Sequence, residues 1–238
     1  MAELETRVRQ GINGLNPSQR EAVSYCEGPL LVLAGAGSGK TRVLAYKTSY
    51  LVTEKEVPAE RILAVTFTNK AASEMRERVQ ALLGPKSKGL QACTFHSFGL
   101  RLLQRNRDEL TKVGRRKDFV VFDRSDCRSI LKDILEEMNL DQEKVEISWV
   151  LDMLSRRKTK NVSSEDESGF TEMLGEIEKK YESVLKEQNG VDFDDLLELP
   201  LELLKDPHIL ERERRALDWI LVDEYQDVNR PQNRMLRK

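Results

Sequence analysis

Three short apolar runs occur in the first hundred residues, and each precedes a segment with helical patterning. The runs are LLVLA at 30–34, ILAVTF at 62–67 and LQACTF at 90–95. They are continuous rather than alternating, which is typical of strands buried on both faces of a parallel sheet. Helices are predicted from about Lys40 to Leu51, after Thr68, and near Phe98–Arg105. This alternation predicts an α/β fold, with a parallel sheet and crossover helices.

Local signals mark both ends of the second of these helices and the start of another helix near the N-terminus. Asn16 is a suitable cap for a helix that has Pro17 at its first position. Thr68 caps the helix after the second run, and Gly84-Pro85 ends it. Its apolar stripe, at spacings of three and four residues, is Ala72, Met75, Val79 and Leu82.

From about Asp108 to Gln188 the pattern is mostly helical, which predicts an inserted helical domain. Its two apolar stripes are Ile130, Leu131, Ile134, Leu135 and Met138, and Leu174, Ile177, Tyr181 and Val184. The polar stretch 155–169 between them predicts a mobile loop. A strand returns at 219–222. The predicted organisation is a first core segment (1–107), the insert (108–190) and a second core segment (191–238).

Composition narrows the class of protein. The 238 residues are 39% hydrophobic and 34% charged with a net charge of −2, which excludes a uniformly basic nucleic-acid coat. Three cysteines without a CxxC pair argue against a disulfide framework, and two distant histidines argue against a zinc cluster. The N-terminus has no signal-peptide core, and no apolar run is long enough to cross a membrane. We expect a soluble cytoplasmic protein without a membrane partner.

The strongest chemical signal is a phosphate-binding loop. It consists of Ala34, Gly35, Ala36, Gly37, Ser38, Gly39, Lys40 and Thr41. Glycines let backbone N–H groups turn inward around phosphates, and the N-terminus of the following helix attracts anions. Lys40 is expected to reach the terminal phosphates and Thr41 to ligate Mg²⁺. Ala34 replaces the usual glycine, so the P-loop pattern is met in relaxed form. A ligand-free turn is disfavoured by the strand before the loop and by Gly-Lys-Thr.

An acidic pair, Asp223 and Glu224, follows the apolar run at 219–222. Carboxylates at the C-terminal end of a strand point into the crevice where ligands bind in open α/β sheets. Asp223 is expected to hold Mg²⁺, and Glu224 to orient and deprotonate the attacking water. Alone, this pair would be assigned to a solvated loop. The P-loop changes that assignment because it requires an acidic partner.

Six segments in order resemble the UvrD/Rep/PcrA-like superfamily 1 DNA helicases. They are LNPSQREAV (15–23), AGAGSGKTR (34–42), TFTNKAA (66–72), TFHS (94–97), DFDDL (192–196) and DEYQD (223–227). The resemblance covers nearly the whole chain and implies a RecA-like P-loop core with a helical accessory domain inserted. It also implies ATP and Mg²⁺ as cofactors and single-stranded DNA and duplex junctions as partners, with 3′→5′ movement in DNA repair or replication.

The resemblance assigns nucleotide contacts beyond the P-loop. Gln19 corresponds to the residue that reads adenine, since an amide pairs with both a donor and an acceptor of that base. It is also placed for a capping box with Asn16, and both roles can coexist. Arg42 corresponds to a residue that stacks on adenine, with an ordinary surface arginine as the alternative. Gln226 is expected near the γ-phosphate, coupling hydrolysis to DNA, unless it is merely a surface polar residue.

The resemblance also assigns a DNA-binding set. Phe67 and His96 correspond to residues that stack on bases, with core packing and helix capping as their alternatives. The expected phosphate-contacting residues are Thr66, Asn69, Lys70, Thr94 and Ser97. For Thr66, Thr94 and Ser97 the alternative is a simple capping role. The acidic residues of DFDDL favour helix capping and packing over a metal site. The basic residues Arg156, Arg157, Lys158 and Lys160 favour a solvated loop over a duplex-DNA contact.

The family's later motifs and second RecA-like core do not occur in this sequence, which ends at Lys238. The resemblance therefore implies the N-terminal portion of a helicase, weakly active or inactive alone. One alternative is a nucleotide- or single-strand-binding fragment without turnover, and ATPase assays with and without DNA distinguish it. A second is part of a helicase-nuclease. A third, an unrelated P-loop enzyme such as a small-molecule kinase, is disfavoured by TFTNKAA and TFHS.

Overall fold

The computed structural model describes residues 2–140, 146–160 and 169–238. The chain forms two compact units, residues 1–95 with 211–228 and residues 96–210 with 229–238. These bounds differ from the predicted domain boundaries. The division into a core (1–107 and 191–238) and an insert (108–190) stays a prediction.

The first unit is a three-stranded parallel sheet with helices. Its elements are α1 (Ala2–Asn13), α2 (Pro17–Ser24), α3 (Lys40–Glu54), β1 (Ile62–Thr66), α4 (Asn69–Leu83), β2 (Gln91–Thr94) and β5 (Trp219–Val222). The strand order is β2-β1-β5, and both pairings are parallel. Helix α3 precedes β1, and α4 connects β1 to the parallel strand β2. The predicted α/β fold with a parallel sheet is therefore confirmed.

The central strand β1 is buried along its whole length, which explains its continuous apolar sequence. Leu51, Ile62, Met75 and Val79 belong to one fully buried cluster that joins α3, β1 and α4. The predicted caps of this unit are confirmed. Asn16 and Gln19 form a reciprocal capping box at α2, and the Thr68 hydroxyl accepts from the Ala71 N–H at α4.

The predicted buried strand at 30–34 is wrong. These residues have no strand conformation, and Leu31 and Leu33 are 63% and 86% exposed. An apolar run becomes a strand when a neighbouring strand accepts its backbone hydrogen bonds. Within the described ranges, the sheet consists of β2, β1 and β5, and this segment pairs with none of them. The segment therefore leads into the P-loop as irregular chain with exposed side chains.

The second unit is mostly helical, as predicted for this region. Its elements are α5 (Phe95–Arg105), β3 (Val120–Val121), α6 (Arg124–Glu137), α7 (Ile147–Lys160), α8 (Gly169–Glu187), β4 (Gly190–Val191), α9 (Asp195–Leu203) and α11 (Arg230–Leu236). Helix α10 (Pro207–Arg215) spans the boundary between the units. Both predicted apolar stripes pack into one core of α6, α7 and α8, with Met138 and Val184 at its partly buried margin.

The loop predicted over 155–169 is wrong where it overlaps α7, which continues to Lys160. Residues 161–168 lie outside the described residues. Two of the basic side chains in this stretch pair with carboxylates far away in sequence. Arg157 pairs with Glu178 at 2.9 Å, and Lys158 pairs with Asp195 at 2.6 Å. These ion pairs stabilise the helical conformation of a polar segment, and the composition of the segment alone does not predict them.

Candidate functional site

The P-loop is an open turn at the N-terminus of α3. Gly37 and Gly39 have left-handed backbones, with φ of 73° and 84°, a conformation that glycine adopts without strain. A Cβ atom on Gly35 or Gly37 would meet nothing within 4 Å. The Lys40 ammonium lies 3.3 Å from each of the carbonyl oxygens of Ala34 and Gly35. The loop thus leaves a cradle beside a cation, which fits a phosphate chain.

Asp223 meets this loop at the C-terminal end of β5. Its backbone N–H donates to Val65 in β1, which fixes its position at the sheet edge. Its buried carboxylate accepts a hydrogen bond from the Thr41 hydroxyl at 3.3 Å. A hydroxyl and a carboxylate side by side are oxygen ligands of the kind that Mg²⁺ prefers, so the donor set fits this ion.

Glu224 follows Asp223 and caps a short 3₁₀ turn, Tyr225–Asp227, which contains Gln226. Glu224 has a left-handed backbone (φ 49°), which costs a non-glycine residue energy and is frequent at functional sites. Its carboxylate accepts a hydrogen bond from the Gln226 side chain at 2.6 Å. Glu224 and Gln226, which are both predicted to act in ATP hydrolysis, are therefore in direct contact.

Gln19 and Arg42 both lie against the P-loop. The Gln19 amide donates to the Ser38 carbonyl at 2.9 Å, while its oxygen accepts from the Asn16 N–H. A Cβ atom on Gly39 would stand 3.2 Å from the Gln19 amide nitrogen and 3.9 Å from the Arg42 Cβ. The exposed Arg42 guanidinium lies 5.6 Å from the centre of the Tyr46 ring. Two residues assigned to adenine thus border the same glycine.

In the first unit, the predicted DNA residues gather at the C-terminal ends of two strands. Thr66 and Thr94 are register partners in β1 and β2, and both are buried. Phe67 is 38% exposed and meets Phe95 edge-on, with ring centres 6.3 Å apart. Asn69 and Lys70 are exposed at the start of α4. A half-exposed aromatic ring next to exposed polar groups is a surface that suits a single strand.

In the second unit, His96 and Ser97 occupy the first turn of α5 and are partly buried. The His96 ring stacks on Phe193, with centres 4.2 Å apart and planes inclined by 34°. Burial lowers the pKa of His96, which favours the neutral imidazole. Phe193 is 60% exposed. An exposed ring stacked on a second ring offers a flat apolar face, which suits stacking with a nucleic-acid base.

Comparison with known proteins places this geometry in a family. The UvrD/REP helicase N-terminal domain matches residues 15–238. The chain belongs to this family. It is 40% identical over 235 residues to the ATP-dependent DNA helicase PcrA of Bacillus subtilis, and 38% identical over 232 residues to that of Staphylococcus aureus. These alignments cover 96% and 95% of this chain but 31% of each relative, so the chain spans about a third of their length.

The family match confirms the resemblance and the RecA-like P-loop fold class. It does not test the role of any single residue, so the site assignments stay predictions. Sequence reasoning noticed the DFDDL segment but assigned no role to Phe193. One sequence signal could have indicated the exposure of Phe193, since acidic residues lie on both sides of it in the sequence. Burying this ring in an apolar core would bring the neighbouring carboxylates close to that core.

The acidic residues around Phe193 form no metal site. Among the described residues, no group of three or more His, Cys, Asp or Glu side chains is arranged to hold a metal ion. Asp192 and Asp195 instead accept backbone N–H groups and pair with basic side chains. In the same part of the chain, no helix combines the length and apolar character needed to cross a bilayer.

Proposed function

We propose that this chain is the N-terminal ATP-binding and DNA-binding portion of an ATP-dependent single-stranded-DNA translocase or helicase. The observation that carries the proposal is the hydrogen bond between Thr41 and Asp223, which joins the P-loop to a strand-end carboxylate 182 residues away. Membership of the UvrD/REP family and the names of the relatives support the same activity.

In this proposal the backbone N–H groups of 35–39 and the Lys40 ammonium bind the phosphates of ATP. Thr41 and Asp223 hold Mg²⁺, which neutralises phosphate charge when bound. Glu224 orients and deprotonates the attacking water. Gln226 contacts the Glu224 carboxylate, which suits a residue that couples hydrolysis to the state of the DNA.

Gln19 provides a test of base recognition, because the capping box can also be disrupted from its other side, at Asn16. Gln19→Ala should weaken ATP binding about five- to tenfold, as expected for loss of two hydrogen bonds. Binding of a nucleotide with a pyrimidine base should change less than twofold. Calorimetric titration with both nucleotides measures this difference.

Asn16→Ala is the matched control, since it removes the same capping box and keeps the Gln19 amide. If Asn16→Ala reduces ATP affinity as much as Gln19→Ala does, helix capping explains the effect and Gln19 does not read the base.

We propose that each unit carries its own DNA-contacting residues. Phe67 stacks on a base in the first unit, and His96 together with Phe193 does so in the second. Thr66, Asn69, Lys70, Thr94 and Ser97 contact phosphates. Single strands and their junctions with duplex are the proposed partners, with 3′→5′ movement in repair or replication. Because phosphate contacts release counterions, binding is expected to weaken as salt concentration rises.

Phe67 provides the test of DNA binding. Phe67→Ala should weaken single-stranded DNA binding about five- to tenfold, because stacking on one base contributes about 1–3 kcal/mol. Fluorescence anisotropy of a labelled oligothymidine measures the affinity. Tyr25→Ala is the control, since Tyr25 is an aromatic residue of the same unit that is 37% exposed, nearly as much as Phe67. Equal affinities for the wild-type chain and Phe67→Ala would contradict the assignment.

Coupling of hydrolysis to DNA movement is proposed to require a second RecA-like core, which supplies groups to the opposite side of the nucleotide. We expect these 238 residues alone to bind ATP and DNA and to hydrolyse ATP slowly, since the groups that stabilise transferring phosphate from that side make a large contribution to rate. A nuclease activity elsewhere in a longer polypeptide remains compatible with this proposal.

A further inference from the structure

A tight acidic turn joins β4 to α9 and carries Phe193. The Asp195 N–H donates to the Asp192 carboxylate at 2.8 Å, and the Asp192 N–H donates to the Asp195 carboxylate at 3.4 Å. This reciprocal pair closes a turn of four residues, of which Phe193 is the second. The ring is thereby directed away from the buried carboxylates, and it is 60% exposed.

Lys158 in α7 holds both ends of this turn. Its ammonium lies 2.6 Å from a carboxylate oxygen of Asp195 and 3.2 Å from one of Asp192. It also lies 3.0 Å from Glu182 in α8. The Lys158 side chain is 19% exposed, so these contacts are screened less by water than surface ion pairs are.

Other groups complete the network. Arg115, which is buried, donates to Asp195 at 3.1 Å and to the Gly190 carbonyl at 2.8 Å. The Tyr181 hydroxyl donates to Asp192 at 3.3 Å. Among the described residues, Lys158 is the cation that forms ion pairs with both Asp192 and Asp195. Burial alone would lower the pKa of Lys158, but the three carboxylates raise it, so the ammonium stays charged.

We propose that Lys158 is a positioning residue for DNA binding, which fixes the acidic turn so that Phe193 stands against His96, ready to stack on a base. This inference rests on the proposed function for its use of DNA. The positioning itself is a property of the protein alone, visible in the 4.2 Å contact between the two rings. A basic side chain in the helical region thus contributes to DNA binding without touching DNA.

Lys158→Met is the decisive variant, since it keeps the stem and removes the charge that joins the two aspartates. The DNA-free measurement is the chemical shift of the His96 ring protons, which the adjacent Phe193 ring perturbs. We expect this shift to move in Lys158→Met in the same direction as in Phe193→Ala. We expect single-stranded DNA affinity to fall about fivefold in each variant. The double variant should lose no more than twofold beyond either single one, because both act through one ring.

Lys180→Met is the matched control. Lys180 pairs with Glu137 at 2.6 Å on the exposed surface of the same unit, so its replacement removes an equal charge without touching the turn. If Lys180→Met weakens DNA binding as much as Lys158→Met does, the loss is general electrostatics and the inference is overturned. Multiplicative losses in the double variant, or an unchanged His96 shift in Lys158→Met, would also overturn it.

Tyr181→Phe is the milder second variant if Lys158→Met does not fold. It removes one hydrogen bond to Asp192 and should move the His96 shift in the same direction by a smaller amount; no movement would overturn the inference. Failure of the wild-type chain to bind single-stranded DNA would contradict the proposed function instead. The His96 shift then decides the positioning of Phe193 independently.

Discussion

Replacing Lys40 with alanine should weaken Mg-ATP binding by this chain about tenfold to a hundredfold. The Lys40 ammonium lies over the glycine turn, 3.3 Å from two backbone carbonyls that a phosphate oxygen can replace as its partner. A hydrogen bond to a charged group contributes about 1.5–3 kcal/mol, and each 1.4 kcal/mol is a factor of ten in affinity. Isothermal titration with a non-hydrolysable ATP analogue and Mg²⁺ measures the change.

Lys55→Ala is the control for this measurement. Lys55 lies at the other end of α3 and is exposed, so its loss removes the same charge without reaching the turn. The unfolding midpoints of both variants should stay close to that of the wild-type chain, because neither side chain is buried. Equal affinity of the wild-type chain and Lys40→Ala for Mg-ATP would remove the P-loop assignment and, with it, the proposed function.

Sequence patterns predicted the elements that depend on local chemistry. The runs at 62–67, 90–95 and 219–222 became β1, β2 and β5, each within a residue or so of the predicted bounds. The run at 30–34 has the same pattern and failed to become a strand. Apolar character shows that a segment can be buried in a sheet, but it does not show whether the segment pairs with a neighbouring strand.

Long-range ion pairs explain the second failure. Residues 155–160 have the composition of a loop, yet they are helical because Arg157 and Lys158 pair with carboxylates on α8 and in the acidic turn. Those partners lie more than 20 residues away, so a local window does not detect them. The same distance in sequence, between Lys158 and the acidic turn, hid the role that we propose for Phe193.

The contact between Thr41 and Asp223 was predictable although it spans most of the chain. Both residues were placed at positions that topology brings together, one at the start of the helix after the P-loop and the other at the C-terminal end of a parallel strand. The rule that ligands bind at the C-terminal ends of parallel strands therefore brought Thr41 and Asp223 together, although no local sequence pattern connects them. Which residues stack on DNA is not settled by such a rule, since it depends on side-chain exposure.

Replacing Gly99 with alanine should destabilise the second unit by about 3 kcal/mol. Gly99 lies within α5, where a Cβ atom would stand 1.8 Å from the Leu196 carbonyl oxygen and 3.0 Å from its carbon. Backbone atoms of α9 cannot turn aside as a flexible side chain can, so the helices must separate. Overpacking of a core costs about 1–3 kcal/mol and occasionally more. This cost exceeds the gain of about 1 kcal/mol in helix propensity when alanine replaces glycine.

Tryptophan fluorescence allows the unfolding of the second unit to be measured separately from that of the first. Trp149 lies in the second unit and Trp219 in the first, so urea unfolding in a Trp219→Phe background reports on the second unit. Gly175→Ala is the matched control, since Gly175 lies within α8 and a Cβ atom there would meet nothing within 4 Å. It should stabilise the unit by about 0.5–1 kcal/mol. Equal stability of the two variants would contradict the close approach of α5 and α9.

The same substitution should affect DNA binding, because Gly99 and Leu196 follow His96 and Phe193 by three residues each. The approach of backbone to backbone at Gly99 brings the starts of α5 and α9 close enough for the two rings to stack at 4.2 Å. A methyl group that separates the helices separates the rings as well. Gly99→Ala should therefore shift the His96 ring protons under conditions where the unit is still folded, whereas Gly175→Ala should leave them unchanged.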